Sequence, residues 1–198
     1  MSKDFSAVIL AAGYSSRMGV PKWGLMFDDE ISFVEKISLE FAKSNCEQII
    51  LVVNELNNSQ IIDRDFSFPD ILKVVVNENP DLGKFYSLKK AVELCNLEKP
   101  VCFTNVDNPF LDLELITLLM NESYKADYIS PEYEEKGGHP VVLSSSVVKA
   151  IHYSQQNGMN LSEFLSQFKR KRVKVNNSKI SSNINTKLDY FKCFNRSV

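Results

Sequence analysis

Ser6-Ala7-Val8-Ile9-Leu10-Ala11-Ala12-Gly13-Tyr14-Ser15-Ser16-Arg17-Met18-Gly19-Val20-Pro21-Lys22 is the stretch whose reading decides the fold. Ala7 to Leu10 is a short apolar run, the pattern of a strand buried on both faces. At Ala11-Ala12-Gly13 the side chains shrink, so backbone N–H groups can approach an anion closely. Ser15 and Ser16 add hydroxyls, and Gly19 adds a second flexible joint. Arg17 brings a planar fork and Lys22 a compact cation, the two kinds of charge a triphosphate needs. Two other phosphate loops are excluded. Gly19 and Gly24 have the gap of a P-loop, but Leu25 follows where Lys is required, and no G-x-G-x-x-G occurs.

Outward from this loop, apolar runs alternate with amphipathic stretches. Phe33, Ile37 and Phe41 recur at helical spacing, so a helix is predicted over 31–44, followed by a strand from Gln48 to Val53. Asn54 to Ser59 reads as a polar turn, and Ile71 to Val76 as a strand. Leu88, Ala91, Val92 and Cys95 mark a helix, Val101 to Thr104 a strand, and Leu113, Ile116 and Leu119 another helix. This order predicts a mostly parallel sheet covered on both faces. Asp127 to Ser130 and Pro140 to Leu143 read as short strands around a charged hairpin, in which Glu132, Glu134 and Glu135 form a solvated run. His152 falls on a helix with Val148 and Ile151 and reads as structural. Asn160 with Glu163 opens a further helix in the manner of a capping box. The cations at 169–172 read as complements to that helix's C-terminal dipole. Residues 172–175 alternate as an edge strand, and a last helix runs near 186–194.

The second informative stretch is Val101-Cys102-Phe103-Thr104-Asn105-Val106-Asp107-Asn108-Pro109-Phe110. Ligands of open parallel sheets gather beyond the carboxyl ends of the strands. Asp107 and the first loop both leave their strands there, so the two should face one crevice. A carboxylate beside a triphosphate suits Mg²⁺, which takes one or two protein oxygens and completes its shell from phosphate and water. The bland alternative is an Asp that begins a turn before Pro109.

Leu10-Ala11-Ala12-Gly13-x-Ser15-x-Arg17-Met18-Gly19-x-Pro21-Lys22 resembles the signature of nucleotidyltransferases with a Rossmann-like fold, closest to molybdenum-cofactor cytidylyltransferases and their guanylyltransferase relatives. The resemblance implies an α/β, single-domain Rossmann-like three-layer sandwich with a mostly parallel, mixed sheet across residues 1–198. It implies a nucleoside triphosphate held by Leu10, Ala11, Ala12, Gly13, Ser15, Ser16, Arg17, Gly19 and Lys22, with Arg17, Lys22 and Asp107 serving catalysis. Asp107-Asn108-Pro109-Phe110 resembles the family's metal-binding acid. The partner acid of the family falls at Asn183-Ile184-Asn185-Thr186-Lys187-Leu188-Asp189, where both acids are amides and Lys187 replaces a proline. Asn185 is thus either the second metal ligand or the residue before a helix N-cap at Thr186, and Asp189 is a helix-surface acid.

Gly83-Lys84-Phe85-Tyr86-Ser87-Leu88 is similar to the family segment beside the nucleoside, which implies nucleotide contacts for Gly83 and Ser87; a plain turn into a helix is the other reading. Lys84 and Phe85 depart from the family pattern and stand either in the pocket or on its rim. Gly137-Gly138-His139-Pro140 resembles the segment next to the acceptor, where His139 either binds acceptor or is held by its neighbours. Ala11-Ala12 resembles the pyrimidine-using branch, which favours CTP. The resemblance implies a phosphorylated small molecule as acceptor, with molybdopterin, a sugar phosphate and a phosphorylated alcohol all open. A non-catalytic nucleotide-binding module is the alternative that the two amides suggest.

Composition sets outer bounds. The chain has 198 residues, 44% hydrophobic and 24% charged, an ordinary globular balance. A net charge of −2 gives no global field for nucleic acid or an anionic membrane. Met1-Ser2-Lys3-Asp4 has no leader-like apolar stretch, and no apolar run reaches membrane-spanning length. Cys46, Cys95, Cys102 and Cys193 are widely spaced without a C-x-x-C pair, which reads as free thiols in a reducing cytoplasm. A monomer or homodimer is expected.

Overall fold

A computed structural model describes residues 4–64 and 66–198. The first half runs β1 (Ser6–Leu10), α1 (Phe33–Lys43), β2 (Gln48–Val53), α2 (Glu55–Ile62), β3 (Leu72–Val76), α3 (Gly83–Val92), β4 (Val101–Asn105) and α4 (Leu113–Met120). The second half runs β5 (Tyr128–Tyr133), β6 (Lys136–Gly137), β7 (Val141–Leu143), α5 (Ser145–Tyr153), α6 (Leu161–Leu165), β8 (Arg170–Lys174) and α7 (Lys187–Phe194).

All eight strands join one mixed sheet in the order β3-β2-β1-β4-β7-β5, with β6 and β8 both paired to β5. β3, β2, β1 and β4 are mutually parallel, while β7 is antiparallel to both β4 and β5. Strand alternation divides the core into two layers. Ala7, Ile9, Ala11, Ile49, Leu51, Val53 and Cys102 face the layer carrying α1 and α4. Val8, Leu10, Ala12, Ile50, Val52, Val101 and Phe103 face the layer carrying α3 and α5. β1, β2 and β4 are buried along their whole length, which is why they read as continuous apolar runs. Among the described residues no helix is long and apolar enough to cross a membrane.

The connections place the site. β1 lies between β2 and β4, so the chain leaves it toward one side for β2 and β3 and crosses back over to β4. That reversal is a topological switch point, where two successive loops diverge and leave a crevice. Leu10 pairs with Val52 on one side and with Asn105 on the other. The segments after Leu10 and after Asn105 therefore start side by side.

Three expectations are corrected here. Residues 54–59 are a capped helix start, not a polar turn. The Asn54 side chain accepts from Asn57 N–H, and α2 hides Asn57 and Ile61 rather than an apolar stripe, so helical periodicity is faint. The cations at 169–172 do not end a helix, because α6 stops at Leu165 and Arg170 already begins β8. Asn160 caps α6 through its own side chain to Ser162 and Glu163 N–H without the reciprocal contact of a capping box. The charged hairpin turns at Glu134 and Glu135, both left-handed (φ 46° and 65°), as a two-residue hairpin turn requires. No disulfide joins the cysteines among the described residues, and Cys46 and Cys102 are buried.

Candidate active site

The loop after β1 is held from outside and folded on itself. Asn54 and Asn57 of the next connection donate their side-chain amides to the Ala12 and Ala11 carbonyls, each at 3.0 Å. Met18 N–H and Gly19 N–H both reach the Ser15 carbonyl. Ser15 sits at φ 56° and Gly19 at φ 80°, so the turn depends on left-handed backbone at two points. The Ser15 hydroxyl accepts from Lys22 N–H at 3.3 Å and steers the chain so that Lys22 points back into the crevice.

There Lys22 Nζ donates to Asp107 Oδ2 at 3.1 Å and to Asn185 Oδ1 at 2.7 Å. Arg17 Nη2 reaches the same Asn185 oxygen at 3.4 Å. Side chains from three distant parts of the sequence thus meet at one point. The Lys22 and Asp107 side chains are each 14% exposed, so their attraction is screened less than that of a surface pair. Asp107 is tied to its strand neighbour, because Val106 N–H donates to the Leu10 carbonyl. Asn185 is tied to Asp107 through Ile184 N–H, which donates to the Asp107 carbonyl at 2.8 Å. A full capping box at Thr186 and Asp189 then starts α7, and Asp189 Oδ2 also accepts from Asn185 N–H. The two readings of Asn185 are therefore both realised: it precedes an N-cap and its amide oxygen enters the crevice. Asp189 is a capping acid rather than a free surface charge.

The crevice holds a cavity of about 310 Å³. Leu10, Ala11, Ala12, Gly13, Ser15, Arg17, Lys22, Gly83, Ser87, Asp107 and Asn185 all line it. Ser16 and Gly19 do not; Ser16 is exposed on the outer side of the loop, and Gly19 serves the turn. The Ser87 hydroxyl is already engaged, accepting from Asn77 Nδ2 at 2.9 Å and donating to the Gly83 carbonyl at 3.3 Å. Gly83 itself has φ 84° and ψ −168°, a conformation essentially reserved for glycine.

A second, wider cavity of about 970 Å³ adjoins the first through Gly83, Lys84 and Asn105, which line both. His139 lies here, not in the mouth, with its Nε2 2.8 Å from Asn105 Nδ2. An amide N–H can donate to that nitrogen only if it is unprotonated. Burial, and then the nearby Lys84 charge, push the His139 pKa down from 6.5 to about 4, although Asp107 and the Phe103 backbone oppose the shift. His139 is therefore neutral near pH 7, a hydrogen-bonding group rather than a cation.

The family described as the MobA-like NTP transferase domain matches residues 7–173. The chain belongs to that family. It is a nucleotidyltransferase. Comparison with curated protein sequences returns no match. Among solved structures, an Rv0371c homologue from Mycobacterium sp. strain JC1 superposes with a TM-score of 0.82 at 21% identity, covering 98% of this chain and 96% of that one. Rv0371c from Mycobacterium tuberculosis H37Rv in complex with manganese gives 0.76 at 16% identity, covering 97% and 98%. The 4-diphosphocytidyl-2C-methyl-D-erythritol synthase of Anaerococcus prevotii gives 0.73 at 14%, covering 96% and 94%. At these identities the likeness is one of fold.

For this MobA-like transferase, sequence reasoning overlooked several residues that build the site. Asn54 and Asn57 hold the loop, and a spacing of three between two buried amides was the available signal. Asn105 joins the two cavities; as the last residue of a buried strand it was readable as a wall of the crevice. Lys84 lines both cavities, whereas Phe85 is fully buried and packs on Phe164 in the core. Arg170 enters the wide cavity from β8, and the helix assigned to its surroundings concealed it.

Proposed function

We propose that residues 1–198 act as one domain that transfers a nucleoside monophosphate, CMP by preference, from a triphosphate to a phosphorylated small molecule and releases pyrophosphate. The observation that carries this is the meeting of Lys22, Arg17, Asp107 and Asn185 at the glycine-lined mouth. In this reading the Ala12–Gly19 backbone and Arg17 hold the outer phosphates. Lys22 compensates negative charge that grows around the α-phosphorus as the acceptor oxygen attacks in line. The protein supplies position and charge, not a covalent nucleophile. The acceptor needs no general base, since a phosphate is already ionised near neutral pH.

A divalent cation fits the donor set. Asp107 Oδ1 is buried with no hydrogen-bond partner among the described residues, and Asp107 Oδ2 and the Asn185 amide oxygen converge on one point, where both accept from Lys22 Nζ. Two hard oxygens beside a polyphosphate suit Mg²⁺ or Mn²⁺, which draw their remaining ligands from phosphate and water. Among the described residues no cluster of three or more His, Cys, Asp or Glu competes as a metal site. The chemistry such an ion supplies is charge neutralisation between phosphate and attacking oxygen. The manganese complex of the mycobacterial neighbour supports a divalent ion in general, with Mg²⁺ our preferred occupant.

CTP is favoured by Ala11-Ala12 and by the diphosphocytidyl product named for the Anaerococcus neighbour. The wide cavity beyond Asn105 is the acceptor site in this reading. Asn105 Oδ1, buried and without a partner among the described residues, and the neutral His139 ring are the polar groups at the seam. Molybdopterin is one acceptor this accommodates; a sugar phosphate or phosphorylated alcohol is the other class. Titration with each of the four ribonucleoside triphosphates in Mg²⁺ or Mn²⁺, then pyrophosphate release over a panel of these acceptors, tests the reading. CTP should bind most tightly and turn over with one acceptor class. Failure of every triphosphate to bind would remove the proposal.

A further inference from the structure

The wide cavity is lined by two lysine or arginine side chains, Lys84 and Arg170, and by one acid, Asp81. Arg170 is treated differently from its neighbours on β8. Lys171 pairs with Glu122, and Arg172 donates to Glu132 at 2.7 Å. Arg170 has no carboxylate partner among the described residues. Its Nε and Nη2 both donate to one hydroxyl, Ser130 Oγ, at 2.9 and 2.7 Å, and its guanidinium lies 5.8 Å from the centre of the Tyr128 ring. Ser130 is itself buried, so the fork is aimed by the sheet rather than left loose in solvent. Gly137 leaves the space that the guanidinium occupies, because a Cβ there would collide with Arg170 Nη2. A positioned guanidinium whose charge is not neutralised, braced on a neutral hydroxyl and an aromatic face, is suited to receive an oxyanion through its remaining N–H groups.

We infer that Arg170 reads a second oxyanion on the acceptor, remote from the phosphate that reacts, so that the acceptor class is a small molecule with anionic groups at both ends. The inference rests on the acceptor occupying the wide cavity, as proposed above. Lys84, which borders both cavities, lies where the reacting phosphate would pass, and Arg170 holds the other end. Arg170 is then a specificity-determining residue, not a catalytic one.

A matched pair of probes separates the two ends. 3-Phosphoglycerate and glycerol 3-phosphate share chain length and phosphate and differ in a carboxylate. Glycerol 1,3-bisphosphate carries a phosphate ester at that end instead of the carboxylate. Calorimetric titration of the CTP-saturated full-length protein should show one or both doubly anionic probes binding about 10- to 100-fold more tightly than glycerol 3-phosphate, the range expected for one hydrogen-bonded charge. Which of them gains distinguishes a carboxylate reader from a phosphate reader. Arg170→Gln should abolish the advantage and leave glycerol 3-phosphate unchanged. Gly137→Ala, which keeps the charge but displaces the guanidinium, should abolish it too. Arg172→Gln, whose charge is already paired, should keep it. CTP affinity should stay within about twofold in all three variants, a change of less than about half a kcal/mol. Equal or undetectable binding of all three probes to the wild type overturns the inference while leaving CTP binding, and with it the nucleotidyl-transfer reading, intact. Loss of the advantage in Arg172→Gln, or of CTP binding in Arg170→Gln, overturns it as well. Should Arg170→Gln fail to fold, Gly137→Ala decides alone.

Discussion

The mouth at the end of β1 and the wide cavity beyond Asn105 share a wall but hold their charges in opposite ways. In the mouth, Lys22 rests on Asp107 and Asn185, residues far from it in sequence, and each side chain is fixed by further backbone contacts. In the wide cavity, Lys84 and Arg170 lack carboxylate partners among the described residues, and His139 is neutral. For the reaction proposed above, the mouth would be preorganised: its cation is already aimed, so reorganisation would cost little. The wide cavity keeps charge in reserve for whatever enters it. Chemistry common to a family suits the first arrangement, and selection among substrates suits the second.

The largest expected effect breaks the mouth. Lys22→Ala should slow pyrophosphate release by about 10²–10³, the usual loss for one aimed charge donor. Asp107→Ala should cost at least as much. A wild-type rate in either purified variant removes that residue from the proposed chemistry. Gly83→Ala probes the shared wall. A Cβ there meets nothing within 4 Å, so the change tests backbone conformation alone. With φ at 84°, it should lower stability by about 1–3 kcal/mol in denaturant titration. An unchanged midpoint would show that the wall relaxes freely.

Thr186→Ala sharpens the contrast on the mouth side. Removing the cap of α7 should cost about 1 kcal/mol of stability. Because Asp189 also holds Asn185 N–H, the variant should weaken Mn²⁺ affinity more than CTP affinity in metal-free buffer. The last contrast, a pH-dependent one on the wide-cavity side, concerns His139. The unfolded chain takes up a proton on this ring near pH 6.5, but the folded chain does so only near 4. The unfolded state therefore binds more protons between these values, and stability falls as pH drops through that window. His139→Gln should lose less stability than the wild type between pH 6.5 and 4.5, compared by urea midpoints at the two pH values. A parallel decline in both proteins would mean that the ring titrates normally.

Much of the mouth is legible in the sequence, because its information is local. A buried strand of β-flanking apolar residues must end in a turn, and small residues, hydroxyls and two cations within that turn point to phosphate. The element that escaped reading was α2, whose buried residues are amides serving the loop rather than an apolar stripe serving the core. Arg170 escaped for a related reason. A run of four cations reads the same at a helix end and on a strand, and only the partners of each side chain separate Lys171 and Arg172, which are neutralised, from Arg170, which is not.

The amino-acid order alone determined most of the alternation of strands and helices, the small-residue turn after β1 and the presence of an acid at a strand end, since periodicity and turn chemistry act over a few residues. Tertiary structure alone decided that Lys22, Asp107 and Asn185 touch, that Ser87 is spent on Asn77, and that His139 stays neutral beside a second cavity. Those outcomes depend on which distant segments the sheet brings together and on how much water it excludes there. Neither quantity is written in any short stretch of the chain.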